Sequence, residues 1–441
     1  MRVDGATEAR PVPRTCGFNG FNGFGRAGIS LLVGLAACAS TPPQLESQNC
    51  GAPDFPYREG WLGGDAAYSV PIGPDTTLWL FGDSFVASPA ATATARDRVG
   101  AHLIHNSIAL ATCSHKGRGS SAGNGSWEFD YAWTTAADGT PKAFLGPRRP
   151  DTFWWLFDGF LYRDKLYLGL LEVQASEPRG AFNLPFRFTG VSLARIANFR
   201  AAPSQWRVEI LPLSDHETVF PISSLVLQGD YLYLFAFLDL AGDRFPRMLT
   251  RLPAAALEGE WPSQYLEYLS TSGDWKPGLE TSDAQILMTD NASEMSVRYH
   301  PEIDRWLAIY SYPSASPNAR AAPPSDHVYA RTAQRLEGPW SEPRSIFRVP
   351  ELAAHNALSR DPGTFCYAAK EHPQLAREGE LTITYVCNLF ARADEDPLAV
   401  LKRLAYKMDL YRPRTVSIPL STIALPELPQ ANPPDATRDE D

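Results

Sequence analysis

One unit recurs five times along this 441-residue chain, and a repeat of that length rich in strand-forming residues leaves few architectures open. The unit is a hairpin, two strand-like runs joined by turn chemistry. It first occurs as "DAAYSVPIGPDTTLWLFGD". It returns as "DGFLYRDKLYLGLLE", "SSLVLQGDYLYLFAF", "SEMSVRYHPEIDRWLAIYS" and "GTFCYAAKEHPQLAREGELTITYVCN". The starts fall at 65, 158, 223, 293 and 363, spaced 93, 65, 70 and 70 residues. A further strand-like run accompanies each hairpin: "NSIALATC", "TGVSLARI", "RMLTRLPAAAL", "HVYARTA" and "VLKRLAYKM". Three or four antiparallel strands per repeat is the content of one propeller blade, so the expected fold is all-β, a five-bladed β-propeller with blades of mostly four antiparallel strands. The regular period weighs against a pair of β-sandwiches. The long first spacing is explained by an insertion, "SHKGRGSSAGNGSWEFD", read as a surface loop. Aromatic residues at 11%, with 38 Pro and 32 Gly, agree with short strands and many turns.

The ends of the chain read differently from its middle. Arg2, Arg10, Arg14 and Arg26 precede the apolar run "AGISLLVGLAAC", the order of an export signal, and the run is too short to span a bilayer. "LAAC", ending at Cys38, resembles the lipobox of bacterial lipoproteins, whose cysteine is acylated after cleavage; the plainer alternative is an ordinary cleaved signal. The expected organisation is a lipoprotein-type signal over 1–37, a tether over 38–55, the propeller over 56–423 and a disordered acidic, proline-rich tail over 424–441. The expected location is the bacterial cell envelope, with the chain lipid-anchored to a membrane through Cys38.

Removing 1–37 takes 40 basic and 50 acidic residues to 36 and 48, so the formal charge moves from −10 to −12 (36 − 48). No basic patch argues for nucleic acid. Cys50, Cys113, Cys366 and Cys387 remain after Cys16 and Cys38, and Cys366 with Cys387, on neighbouring strands, is the expected disulfide. No zinc-type spacing of cysteine or histidine occurs, a calcium ion in the channel has no sequence support, and no cofactor is expected. Neither a nucleophile elbow nor a glycine-rich phosphate loop is present, which removes support for acyl and phosphoryl transfer.

The chemistry is carried by the first hairpin. Asp65 and Asp83 each follow glycine and stand nine residues either side of Pro74, which lies in the turn. In simple register they are cross-strand neighbours with Cβ atoms about 4.5–5.5 Å apart. A bulge at Pro71 or Gly73 would break that register. Two carboxyl groups held so close cannot both ionise easily, which makes an acid and a nucleophile from one residue type. Retaining glycosidases use carboxyls about 5 Å apart, inverting ones about 6.5–9.5 Å. Taken singly, each Asp after Gly is equally a turn cap. Asp158 and Glu172 bracket the second hairpin in the same manner, Glu294 opens the fourth, and Asn388 ends the last. With His105, Asn106 and Trp155 these are the candidate substrate-binding residues, against the bland readings of blade packing for Trp154 and Trp155 and of turn residues for the rest.

"GGDAAYSVPIGPDTTLWLFGDSF", with "HNSIALATC", "SEMSVRYHPEIDRWLAIYS", "ARTAQRLEGPWSEP" and "CYAAKEHPQL…LTITYVCN", resembles a bacterial family of five-bladed propellers long known only as a domain of unknown function, whose characterised members are endo-acting D-arabinan hydrolases. The resemblance runs from about Gly60 to Asn388. It implies a polysaccharide or oligosaccharide substrate, with Asp83 as nucleophile and Asp65 as acid/base. Where the family tends to show Asn-Asn before Ser, this chain has His105-Asn106, a departure that bears on sugar identity. The rival expectations are a non-catalytic glycan-binding lipoprotein, which needs no carboxyl of raised pKa, and a partner-binding scaffold, which needs a broad apolar patch at one channel mouth.

Overall fold

A computed structural model describes residues 50–88, 96–114, 125–179, 184–240, 245–289, 292–311, 326–361, 363–390 and 397–423. The signal segment with Cys38, most of the tether, residues 115–124 of the Gly/Ser insertion and the acidic tail lie outside the described residues; the end of that insertion, "SWEFD", is not loop but belongs to the strand Ser126–Ala132, where alternating residues suit period 2.

Among the described residues the strands form five antiparallel blade sheets, each from one consecutive stretch of chain and arranged as a five-bladed β-propeller, and one separate two-stranded ribbon, Thr134–Thr135 with Pro141–Lys142. Blade one holds Trp61–Pro71, Thr76–Val86, Ser107–Ser114 and Ser126–Ala132, with the short His102–Ile104 beside them. Blade two holds Thr152–Tyr162, Lys165–Arg179, Leu184–Ile196 and Val208–Ser214. Blade three begins with Val219–Gln228, Tyr231–Leu238 and Arg247–Pro253 and adds short outer strands; blade four holds Ser296–His300, Arg305–Ser311, His327–Ala333 and Arg344–Arg348. Blade five holds Thr364–Glu371, Glu380–Leu389 and Arg414–Pro419. Each first strand touches the first strand of the next blade, and that of blade five touches that of blade one, so the five line a closed channel.

All five expected hairpins form. The tightest follow turn chemistry: Arg163 and Asp164, both at positive φ, make a two-residue loop between the paired Tyr162 and Lys165. The blades adhere through buried aliphatic faces. Val70, Leu78 and Leu80 of blade one share a core with Leu156 and Leu168 of blade two and with Ile222 and Leu234 of blade three. Leu307 and Ile309 of blade four meet Leu381 and Ile383 of blade five, with Leu62 and Phe85 of blade one. Truncating one such leucine to alanine costs about 2–5 kcal/mol.

One strand expectation fails. "VLKRLAYKM" is not the third strand of blade five but lies largely in the helix Pro397–Ala405, and Arg414–Pro419 takes the strand's place. Val400 and Leu404, four residues apart, are both buried on one helical face, a spacing that suits period 3.6 and not period 2.

The expected disulfide Cys366–Cys387 forms between directly paired residues of blade five. A second, Cys50–Cys113, fastens the segment before the first strand to blade one. That segment reaches blade five, where Thr415 Oγ1 donates to Pro53 O at 2.8 Å and Tyr57 Oη donates to Met408 O. Beside it the buried guanidinium of Arg98 donates to the carbonyls of Leu62, Leu404, Lys407 and Leu410 at 2.6–3.0 Å, so side chains hold the junction of blades one and five.

Candidate active site

The first strands enter the channel from one mouth, and their opening residues meet there. Blade one supplies Asp65, blade two Trp155, blade four Glu294 from just before its strand, and blade five Tyr367.

The first hairpin keeps the expected register along most of its length. Tyr68, Ser69, Val70 and Pro71 pair with residues equidistant from Pro74, and Gly64 pairs likewise with Ser84. The irregularities lie not at Pro71 or Gly73 but between Trp61 and Tyr68, where Ala66 and Ala67 both have positive φ. The first strands of blades two, three and five are also irregular, after Leu156, Pro221 and Tyr367. Such bulges re-aim side chains near functional sites.

The bulge lays the Asp65 carboxyl over the opposite strand, where a Cβ on Gly82 would lie 2.6 Å from Asp65 Oδ1. Gly63, at φ +124°, admits the Tyr411 carbonyl, which a Cβ there would meet at 2.2 Å. The flanking glycines therefore serve close approach of protein to protein. Tyr367 and Tyr411 both donate to Asp65 Oδ2, at 2.6 and 3.1 Å. Burial, the neighbouring Asp83 and then Glu294 drive the Asp65 carboxyl up to about 8, and the two tyrosine hydroxyls pull the other way. Both hydroxyls fall on Oδ2, and Oδ1 accepts neither.

Asp83 is partly exposed. Its Oδ1 accepts the Trp155 indole N–H at 2.9 Å and lies 3.1 Å from His105 Nδ1, while Oδ2 has no such partner among the described contacts. The His105 ring stacks on Phe153 at 3.7 Å, and Trp155 packs edge-on against Phe186 at 4.9 Å. Glu294 accepts from Lys370 Nζ at 2.8 Å. Lys370 is buried over the Tyr68 ring and also donates to Ala368 O; burial lowers its ammonium pKa against the opposing pull of Glu294.

The remaining candidates lie elsewhere. Asp158 is fully buried deeper in the channel, and its oxygens accept from Arg298, Ser224 Oγ and the amides of Gly159 and Leu225, so it joins blades two, three and four and has no oxygen left for a substrate. Glu172 is buried too and faces Arg149, Thr152 and Thr189; it pairs with Trp154 rather than Asp158, so these two acids do not reproduce the Asp65–Asp83 arrangement. Asn106 is fully buried and its side chain bonds only to backbone: Nδ2 donates to Leu145 O and Trp154 O, and Oδ1 accepts from Leu145 N. Asn388 hydrogen-bonds Tyr367, and its Oδ1 accepts from the Leu389 amide at 2.8 Å. Trp154 is core.

Tyr367, Tyr411, Lys370 and Arg298 were not anticipated. A signal for two of them existed: Lys370 and Arg298 are charges within strand runs, "CYAAKEH" and "SVRYH", where a charge is buried only if paired. Among the described residues, no group of three or more His, Cys, Asp or Glu is arranged to hold a metal ion.

Fold and site together define a five-bladed propeller with a carboxyl of raised pKa beside a second carboxyl at one channel mouth. The chain belongs to the family described as a domain of unknown function, DUF5005, which matches residues 55–419. A search of curated proteins finds no match. A candidate hydrolase from Bacteroides ovatus shares the fold, with a TM-score of 0.57 at 18% identity over 81% of this chain and 86% of that one. An α-L-arabinanase from Cellvibrio cellulosa (TM-score 0.38, 11% identity, 81% and 91% covered) and an exo-β-1,3-galactanase from Phanerochaete chrysosporium (0.41, 12%, 81% and 60%) are more distant and carry no weight here.

Proposed function

We propose that this protein is a glycoside hydrolase that cleaves a furanoside-containing polysaccharide of the D-arabinan type by a two-aspartate, retaining mechanism. The observation that carries the reading is the placement of Asp65, held by the Tyr367 and Tyr411 hydroxyls next to Asp83 at a mouth walled by Trp155 and the His105–Phe153 stack, where burial and the Asp83 charge raise its carboxyl to about 8. A glycan-binding protein has no use for such a carboxyl, whereas a glycosidase needs one as its acid.

In this mechanism Asp65 Oδ1 gives its proton to the glycosidic oxygen as the bond to the anomeric carbon breaks. Asp83 attacks that carbon through Oδ2, the oxygen that His105 and Trp155 leave free. Asp65, now ionised, takes a proton from water; the hydroxide adds to the anomeric carbon and Asp83 departs. The donors on Asp83 Oδ1 orient it, and those on Asp65 Oδ2 limit how far its pKa rises. The adjacency of the two acids on neighbouring strands supports retention, and the family resemblance supports the choice of sugar. We further propose that the protein is exported and anchored through Cys38, a reading to which the two disulfides lend support.

The test is release of reducing sugar from a panel including D-arabinan and L-arabinan by the wild type, Asp83→Asn and Asp65→Asn. Cleavage lost by at least about a hundredfold in both variants is expected; cleavage that survives in both, or no cleavage of any glycan by the wild type, overturns the reading. Incorporation of a fatty-acid probe, abolished by Cys38→Ala, is expected for the anchor.

A further inference from the structure

Lys370 is a buried charge that the proposed chemistry does not use. It stands directly after an irregularity in the first strand of blade five. Between the pair Tyr367 with Val386 and the pair Lys370 with Thr384, Ala368 and Ala369 stand opposite the single residue Tyr385. Ala368 there adopts φ +61°, a left-handed conformation that disfavours a residue with a Cβ, so the surrounding contacts must hold it.

The ammonium of Lys370 supplies one of those contacts. Its Nζ donates to Ala368 O at 2.7 Å and to Glu294 Oε1 at 2.8 Å, and it lies 4.4 Å from the centre of the Tyr68 ring. Two of its three donors are taken by oxygens while the charge rests over an aromatic face, and at 1% exposure the side chain is out of reach of a substrate. The amide of Ala369 donates to Ser311 Oγ of blade four at 3.1 Å, so both residues of the bulge are tied to blade four, one directly and one through Lys370 and Glu294. What the bulge delivers is Tyr367, whose hydroxyl donates to Asp65 Oδ2 at 2.6 Å. One ammonium therefore bonds the backbone beside Tyr367 and the carboxylate of Glu294, two groups that both bear on the Asp65 carboxyl.

We infer that Lys370 is a positioning residue for the proposed acid: by holding the Ala368 carbonyl and the Glu294 carboxylate together, it fixes where Tyr367 and Glu294 stand around Asp65. The inference rests on the proposed glycosidase activity for its effect on rate, but its effect on Asp65 is read without a substrate. Once the ammonium is removed, the bulge loses its tie, Tyr367 leaves Asp65 Oδ2, and Glu294 faces Asp65 without its cation. Asp158, a further acid near the Lys370 charge, keeps Arg298.

The test compares what Tyr367→Phe does with and without the ammonium. The titration midpoint of Asp65 is followed by carbon-13 NMR in the wild type, Lys370→Met, Tyr367→Phe and the double variant. Lys370→Met should raise the midpoint by about one unit or more, since a cation and a donated hydrogen bond are both lost. Adding Tyr367→Phe to Lys370→Met should then move it by less than about half the shift seen in the wild-type background, because the hydroxyl has already left. With the glycan that the wild type cleaves, kcat per folded molecule should fall about tenfold or more in Lys370→Met, and KM should stay within about threefold. Equal Tyr367→Phe shifts in the two backgrounds, or kcat unchanged in an active enzyme, overturn the inference and leave the proposed function standing; a lysine that serves only stability gives that result with a lower melting temperature. A wild type that cleaves no glycan overturns the proposed function, and the NMR comparison still decides whether Lys370 places Tyr367. Should Lys370→Met not fold, Lys370→Met with Glu294→Gln, which leaves neither charge of the pair, replaces it in the same comparison.

Discussion

Removing one hydroxyl should move the proton of the candidate acid in a direction opposite to intuition about loosening a buried site. In Tyr367→Phe, Asp65 loses the 2.6 Å hydrogen bond to Oδ2 and keeps only the longer one from Tyr411. A donated hydrogen bond stabilises the ionised carboxylate more than the neutral acid, so its loss favours the proton and the pKa rises. Hydrogen bonds to charged groups contribute about 1.5–3 kcal/mol, and about 1.36 kcal/mol corresponds to one pKa unit. Tyr411 still donates to the same oxygen, so the low end applies: a rise of about one unit, from about 8 to about 9. Carbon-13 NMR of aspartate-labelled protein, with Asp65→Asn to assign the resonance, gives the titration midpoint without any substrate. The alkaline limb of the pH–activity profile should shift upward with it. Asp83→Asn should move the same NMR midpoint downward, because it removes the neighbouring negative charge. A midpoint in Tyr367→Phe that falls or stays fixed, in a variant with unchanged melting behaviour, refutes this account of how Asp65 keeps its proton.

Asp65 also ties stability to pH. Its folded pKa is raised, so between about pH 4 and pH 8 the folded protein holds a proton that the unfolded chain has released, and stability is lost as pH rises through that window. Asp65→Asn removes this dependence; its unfolding free energy minus that of the wild type should grow from pH 4.5 to pH 8.5 in urea titrations, and a difference that does not change with pH would count against the raised pKa. At the junction of blades one and five, Arg98→Met leaves the carbonyls of Leu62, Leu404, Lys407 and Leu410 without their common donor. At about 1–3 kcal/mol for each buried group left unsatisfied, less what relaxation recovers, a loss of about 4 kcal/mol or more is expected by denaturant unfolding, and under about 1 kcal/mol would mean that the junction is held by other contacts.

The parts of this molecule legible in its sequence are those set by local chemistry. Turn residues and strand propensity announce all five hairpins. The symmetry of Asp65 and Asp83 about Pro74 anticipates that they come near each other, because hairpin register is governed by the turn and is kept at the adjacent pair Gly64 and Ser84. What escapes is whatever depends on an extra residue in a strand or on a partner far along the chain. Nothing in "DAAYS" announces that Ala66 and Ala67 adopt positive φ, yet that irregularity lays Asp65 over Gly82. Asp158 resembles Asp65 in sequence, a carboxyl at the edge of a hairpin, and differs in the distant groups that enclose it, Ser224 and Leu225 of blade three and Arg298, 140 residues away. The helix at Pro397–Ala405 was hidden because Val400, Leu401 and Leu404 suit a short strand almost as well until burial shows the four-residue spacing.

The making of each blade from one unbroken stretch governs the order in which the ring can assemble. Propellers that share a strand between the two chain ends cannot complete that blade until both ends have met. Here every sheet pairs residues from its own stretch, so five sheets can form in succession as an open arc, each docking on its predecessor through neighbouring sequence. The longest search in sequence is the closing event, the meeting of Arg98 and the Cys50–Tyr57 segment with the far end of the chain around Leu404 to Thr415. Loop-closure entropy falls on that last step.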